Sequence, residues 1–360
     1  TDGLNDVFEV FSNHLGNSKN AETIKKLFSE AYLKHKNLAD ATRYIANELF
    51  KDYGLVIIDG DDTGLKQLFS PIVKDELENG TSFKTVSKTI TELEKNYKIQ
   101  VNPREINLFY LGDDFRERII LENGIYKVNN TNITFSKAEI LNEVDNNPKA
   151  FSPNVIMRPL YQEVILPNLS YIGGGGEMAY WLELKDYFEE VKVPFPILLL
   201  RNSVQVVTEK QANKLERMNI TFEELFLNQY DLLSKKVTDN SEIKVNFDEK
   251  ILYLENQFSE LKEVAKQTDI SFVNAVNAQE RKQVKGLENL QKRLLKAEKR
   301  RQKDLVVRIT QLQNEILPNQ SLEERQRNFS EYYLEYGSSF IKHVKDALKP
   351  LQLEFTILEL

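Results

Sequence analysis

Four consecutive glycines, Gly173 to Gly176, constrain this sequence more than any other feature. Glycine lacks a Cβ and loses more backbone freedom on folding than any other residue, so a run of four is costly unless something must approach closely. The run separates two segments of different character. Before it, Val164-Ile165-Leu166 is apolar and stops at Pro167. After it, Glu177 precedes apolar positions at helical spacing, Met178, Trp181, Leu182 and Phe188. Pro194-Phe195-Pro196 then opens a short run, Ile197 to Leu200, bounded by Arg201-Asn202-Ser203. That run is too short for a buried helix and suits a strand covered on both faces. The stretch from Phe151 to Ser203 therefore reads as helix, glycine loop, helix and buried strand, with polar groups at the strand's carboxyl end. Ligands of open α/β sheets bind at that end.

A helix starting near Glu177 would point unsatisfied N–H groups outward, and such groups bind anions. Glu177 itself competes for them as an acid in the first turn. The same residues also describe a tight turn that packs a helix close to a sheet. The segment is not a phosphate loop of the Walker type, because no Lys-Ser/Thr follows, and it does not match G-x-G-x-x-G. On the preceding helix Pro159 suits the first turn. There Arg158, Tyr161 and Gln162 make a polar face suited to a carboxylate or phosphate, or to an interdomain hydrogen-bond network. Arg201 and Asn202 add to that set from the strand end. Tyr180 and Trp181 read as core.

Upstream, Ala21 to Tyr32 and Ala41 to Phe50 carry helical apolar stripes. Leu55 to Ile58 reads as a buried strand ending in Asp59-Gly60-Asp61-Asp62. Acids so placed hold a ribose, an amine or magnesium, or simply cap the next helix. Asp62 or Thr63 is the expected cap of a helix from Leu65 to Leu68, before Pro71. Thr81 to Tyr97 is amphipathic. Leu108 to Leu111 is a strand, and Arg116 to Val128 alternates around Asn123-Gly124, a hairpin signal. Ser136 with Glu139 is a capping box. This segment, near 105–135, reads as an insertion between halves of a parallel sheet.

Downstream, Thr208 to Met218 and Phe222 to Leu233 are expected helices. From Phe247 a heptad seam runs through Ile251, Leu254, Phe258, Leu261, Ala265 and Thr268 to Phe272. A second arm spans Leu287 to Ile316, with the reversal between Gln267 and Gly286. The arms differ in charge: residues 242–263 hold six acids and three bases, whereas 281–308 hold eleven bases and three acids. An acidic arm beside a basic one fits a hairpin or a homodimer. Pro318-Asn319 ends the coiled coil, Ser321 caps a further helix, and Leu353 to Leu358 is a strand expected to return to the core sheet.

Composition excludes several classes. With no cysteine, disulfides, thiolate metal sites and a cysteine nucleophile are ruled out. The three histidines stand far from one another, and none has a partner at metal-ligand spacing, so no metal site is expected. A net charge of −7 argues against a general nucleic-acid binder. No apolar run approaches the ~20 residues of a membrane helix, and no cysteine fits a cytoplasmic protein.

The residues SPNVIMRPLYQEVILPNLSYIGGGGEMAYWLELK and FPILLLRNS resemble the bacillithiol biosynthesis cysteine-adding enzymes, the BshC family. Asn37 to Tyr44, Tyr53 to Asp59, Arg104 to Leu111 and Glu324 to Phe329 carry the same resemblance, so it extends over nearly the whole chain. Family members are longer at the amino terminus, so the chain, which begins Thr-Asp-Gly, is expected to lack that part. The resemblance implies a Rossmann-like parallel-sheet core over 1–240, an antiparallel helical coiled coil over 241–318 and helices and a strand over 319–360 returning to the core. It implies a ligase that joins the carboxylate of cysteine to the amine of glucosaminyl malate. A carboxylate is a poor acyl donor and must be activated as an adenylate or acyl phosphate, for which the nucleotide-type fold suggests ATP. Chemistry then assigns Gly173, Gly174, Gly175 and Gly176 to phosphate binding and Arg158 and Arg201 to a cationic clamp. Glu177, Asp59 or Asp61 would hold the cysteine ammonium or deprotonate the attacking amine, with Tyr161, Gln162 and Asn202 binding nearby. The other class open to these residues is a coiled-coil scaffold on a nucleotide-type fold.

Overall fold

The structure, a computed structural model, describes residues 3–360. In chain order the amino-terminal part contains helices α1 (Leu4–Leu15), α2 (Lys19–Phe28), α3 (Leu38–Phe50), α4 (Thr63–Asn79) and α5 (Thr81–Leu93). Strands β1 (Leu108–Leu111), β2 (Arg116–Glu122), β3 (Ile125–Val128) and β4 (Thr134–Phe135) follow, then α6 (Lys137–Asn146), β5 (Phe151–Pro153), α7 (Arg158–Ile165), β6 (Ser170–Gly173), α8 (Gly175–Leu182), α9 (Lys185–Glu190) and β7 (Ile197–Leu200). Next come β8 (Ser203–Val207), α10 (Glu209–Arg217), α11 (Phe222–Leu225), α12 (Gln229–Asp239), α13 (Asp248–Ala265), α14 (Ile270–Arg301), α15 (Lys303–Ile316), α16 (Ser330–Tyr336), α17 (Ser339–Ala347) and β9 (Phe355–Glu359).

The chain forms two units. Among the described residues one comprises the chain up to 202 with 332–341 and 349–354, and the other 203–331, 342–348 and 355–360. The main division thus falls at 202/203, whereas the sequence placed boundaries near 240 and 318.

The first unit departs from a parallel-sheet core. Its largest sheet has five strands in the order β4-β3-β2-β1-β5, and every pairing in it is antiparallel. The reason lies in the connections. Asn123 and Gly124 adopt φ of 52° and 78°, closing a tight hairpin between β2 and β3, and no crossover helix separates β1 to β4. Antiparallel strands need only such turns, while parallel ones need a long crossover. The capping box at Ser136 and Glu139 starts α6 as expected. A core of Phe69, Val86, Leu108, Ile119, Ile140 and Trp181, among others, fills the space against α4 to α9. Helix α4 is capped by Asp62, but it continues through Pro71 to Asn79.

The parallel element is a separate pair, β6 and β7, joined through α8 and α9. Strand β6 was not expected; it occupies Ser170 to Gly173, before the helix. Strand β7 forms where expected but is not buried: Ile197 is 67% and Leu200 41% exposed. Leu55 to Ile58 forms neither strand nor helix, with Val56 81% exposed. Both expectations of burial assumed a wide sheet, and the described residues provide two parallel strands there.

In the second unit β8 and β9 form another parallel pair, so the carboxyl-terminal strand joins Ser203–Val207 and not the larger sheet. Helices α13 and α14 pack as a hairpin around Phe258, Ala265 and Val276, with Leu254 and Val273 beside them. The reversal is at 266–269, where the Asp269 side chain accepts from the N–H groups of Ser271 and Phe272 and caps α14. The heptad therefore does not run on through Thr268, and Leu261 and Phe272 are both half exposed. The second arm breaks at Gln302, and α15 packs Ile309, Leu312 and Ile316 with Val207, Leu215 and Leu232. Ser321 precedes a short 3-10 turn, and α16 starts only at Ser330. Among the described residues no helix is long and apolar enough to cross a membrane.

Candidate functional site

The glycine run spans the end of β6 and the start of α8. None of the four glycines has positive φ, so a left-handed turn does not explain them. Gly173 has a steric explanation. A Cβ there would lie 2.6 Å from Tyr171 Cε1, because the Tyr171 ring folds back and stacks on Trp181 with centroids 4.1 Å apart. Gly174 is extended, and a Cβ on it would meet Glu177 Oε2 at 3.6 Å and Arg201 Nε at 3.7 Å. Gly175 and Gly176 are different: a Cβ on either meets nothing within 4 Å. In a helix interior glycine costs about 1 kcal/mol relative to alanine, and no steric contact among the described residues calls for it at these two positions.

Glu177 closes the loop on itself. Its Oε2 accepts from Gly174 N at 2.9 Å and its Oε1 from the Tyr171 hydroxyl at 3.1 Å. The Gly174 N–H foremost, with Tyr171, Arg158 and Arg201, holds its carboxyl below the usual carboxylate range, outweighing the opposing effect of burial. Glu177 thus stays ionised, which suits holding an ammonium better than taking up a proton. The N–H groups of Gly175, Gly176 and Glu177 belong to the first turn and have no intrahelical acceptor.

Arg158, at the start of α7, is a strut of this site. It donates to Gln162 Oε1 at 3.2 Å and to the Tyr180 hydroxyl at 2.9 Å. Burial works to lower its pKa, but hydrogen bonds with Tyr180 and Tyr171 outweigh this and raise it. The site is thus a connected set: Gln162, Arg158, Tyr180, Tyr171, Glu177 and the Gly174 amide, with Arg201 beside Gly174. The register of β6 and β7 places Arg201, whose N–H donates to Gly173 O at 2.9 Å.

Other expected residues lie elsewhere. The Tyr161 hydroxyl donates to Gly60 O at 2.8 Å, and its ring meets Phe69 edge-on, so it pins the acidic turn. Asp61 pairs with the buried Lys66 at 2.8 Å, and Asp59 accepts from the Asp61 amide within the turn. Asn202 donates to Lys349 O and Gln352 O, each at 3.2 Å. Tyr171 and Tyr180 were missed as site residues. Tyr180 read as core and Tyr171 was given no role, and only their hydroxyl partners bring them to the site.

An α/β unit with a glycine-started helix at the end of a parallel strand, followed by a helical hairpin, defines the class of protein. Residues 1–202 match the family model "Bacillithiol biosynthesis BshC, N-terminal Rossmann-like domain", and residues 204–360 match "Bacillithiol biosynthesis BshC, C-terminal coiled-coil domain". The chain belongs to the BshC family of bacillithiol biosynthesis proteins. It is 57% identical to a protein of Flavobacterium psychrophilum named "Putative cysteine ligase BshC", over 100% of this chain and 67% of the relative. Similar proteins carrying the same name occur in Flavobacterium johnsoniae, 55% identical over 99% of this chain and 68% of the relative, and in Christiangramia forsetii, 53% identical over 99% and 67%. The chain thus spans about two thirds of the length of these relatives.

Proposed function

We propose that this protein is a cysteine ligase of bacillithiol synthesis, forming the amide between cysteine and the amine of glucosaminyl malate at the glycine segment. The observation that supports this best is the pairing of an ionised Glu177 with open helix N–H groups and Arg201. An amino acid carries an ammonium and a carboxylate, and this set offers complementary charge to both. In this reading Glu177 holds the cysteine ammonium. The N–H groups of Gly175 and Gly176, with Arg201, hold the carboxylate and the oxyanion that develops as it reacts. Arg158, Tyr171 and Tyr180 fix Glu177 without touching substrate.

The reacting amine attacks the activated carbonyl, the C–N bond forms, the carbonyl–oxygen bond to the leaving group breaks, and the amine releases a proton. ATP, which the nucleotide-type fold suggests, would supply the activation by making the carboxylate oxygen a leaving group. The residues here fit one carboxylate or one phosphoryl group, because the Glu177 carboxylate occupies the Gly174 donor and repels a longer anion. The protein acts in the cytoplasm as a homodimer through the coiled coil in this proposal, and replacing Leu254 and Leu261 by Lys should lower its mass in light scattering.

The test is cysteine-dependent formation of the amide from glucosaminyl malate, followed by mass spectrometry with and without ATP. Glu177→Gln should raise the KM for cysteine more than it lowers kcat. A wild-type protein that yields no product under any activating condition, yet remains folded, would favour the coiled-coil scaffold.

A further inference from the structure

Among the described residues the acidic arm neutralises little of the basic one, pairing Glu242 with Arg301. The ion pair that joins α13 to α14 runs the other way, from Lys262 to Glu280 at 2.5 Å. Several other cations of this unit do find carboxylates: Lys235 and Lys236 meet Glu224, Lys214 meets Glu315, and Arg301 meets Glu242 and Glu298. Among the described residues Lys292, Arg293 and Lys296 make no ion pair, in a chain whose net charge is −7.

These cations line a groove. An open cavity of about 450 Å³ lies between α12 and α14, lined by Tyr230, Asn289, Lys292, Arg293, Lys296 and Lys299, with no carboxylate in its wall. Positions 292, 296 and 299 share one helix face and span roughly 10 Å along it. Lys299 is held in place: its Nζ donates to Ser234 Oγ at 2.9 Å and lies 4.1 Å from the centroid of the Tyr230 ring. Burial pushes its pKa down, against a weaker opposing effect of Asp231. A partly dehydrated ammonium gains from an anion more than a solvated one does. Tyr230 as a residue is 61% exposed.

We propose that the groove between α12 and α14 binds a ligand carrying two or more adjacent phosphate groups, held by Lys292, Arg293, Lys296 and Lys299. A single carboxylate would engage one or two of the four cations. A short phosphate chain matches both their number and their linear spacing. Free oligophosphates and nucleoside polyphosphates share this chemistry, and Tyr230 offers a ring face to the latter alone.

Isothermal titration calorimetry with tripolyphosphate, ATP and adenosine, at about 0.15 M salt to suppress loose surface attraction, tests this. Tripolyphosphate should bind saturably, and adenosine should not. The double variant Lys292→Gln/Lys296→Gln should weaken tripolyphosphate binding roughly tenfold or more. The control Lys210→Gln/Arg217→Gln, on the exposed face of α10, should leave it unchanged. Tyr230→Ala should weaken ATP and spare tripolyphosphate if the ligand is a nucleotide, and should spare both if it is an oligophosphate. Arg201→Gln should not affect tripolyphosphate, which separates this groove from the glycine segment. The proposal fails if tripolyphosphate shows no saturable binding, or if the double variant binds it as the control does. It also fails if the double variant lowers the protein's mass in light scattering, since the cations would then serve a second copy of the chain.

Discussion

Two regions of the first unit treat a glutamate in opposite ways. Around Glu76, between α4 and β1, the carboxylate is 1% exposed and accepts from Ser82 N, Ser82 Oγ, Asn107 N and Asn107 Nδ2, at 2.8–3.3 Å. The Asn107 side chain is spent in turn on Ser82, Arg104 and Asn154. Every donor there is used within the protein, so the region can hold a fold together and has nothing to offer a ligand. Around Glu177 the carboxylate takes one amide and one hydroxyl, and the next two residues of the loop face open space. The first region is closed and the second is left incomplete by the chain itself. Buried polar networks serve stability when complete, and incompleteness at a helix start is what a binding site needs.

The comparison is broken most severely at Glu76. Glu76→Ala leaves buried donors on Ser82 and Asn107 without an acceptor, at about 1–3 kcal/mol each. Urea denaturation should show a loss of roughly 3 kcal/mol or more, and a loss below about 1 kcal/mol would show that water replaces the carboxylate there. Gly173→Ala comes next. Its Cβ displaces the Tyr171 ring from Trp181, an overpacking cost of about 1–3 kcal/mol, read as a fall in melting temperature with weakened tyrosine–tryptophan coupling in the near-ultraviolet dichroism.

A pH titration sharpens the contrast with a third glutamate, in the second unit. Burial works to raise the Glu224 pKa, but Lys236 and Lys235 outweigh it and bring it down to about 2. Its folded value lies below its unfolded one. Its contribution is therefore present above the unfolded value near 4.5 and lost as pH falls toward about 2. For Glu76, burial raises the pKa despite its hydrogen bonds. Its contribution is full below the unfolded value and declines as pH rises through the raised folded one. Replacing Glu224 by Gln should thus flatten the acid limb of the stability curve, and replacing Glu76 by Gln the limb above it. Curves of unchanged shape in both variants would contradict these assignments.

Much of the local structure was legible in the sequence. The Asn123-Gly124 hairpin, the Ser136–Glu139 box and the cap at Asp62 rest on interactions within a few residues, which the sequence carries directly. The failures share one cause. Ile197 to Leu200 and Leu55 to Ile58 are apolar runs whose burial depends on partners far away in the chain, and periodicity does not report partners. The seam through Thr268 failed because Asp269 offers a cap, and a cap outweighs a heptad register of one further turn. At the site, Arg158, Gln162, Glu177 and Arg201 were legible as charged or polar groups flanking the glycines. Tyr171 and Tyr180 were not, because a tyrosine that packs its ring and spends its hydroxyl on an arginine or a glutamate looks the same in sequence as one in the core.

The smallest expected effect on stability bears on the central claim most directly. Gly175→Ala adds a methyl group into open space on a helix, so the folded protein should be as stable as the wild type or more stable by up to about 1 kcal/mol. If the glycine segment is where cysteine is held, that methyl blocks the approach to the helix N–H groups. Loss of one buried hydrogen bond should then cost about 1–3 kcal/mol in the kcat/KM for cysteine. Melting temperature and cysteine-dependent amide formation measured on one preparation of this variant decide the matter. An unchanged or raised melting temperature with sharply reduced turnover is the predicted result. Normal turnover, with or without a change in melting temperature, would contradict it and return the glycines to a structural role.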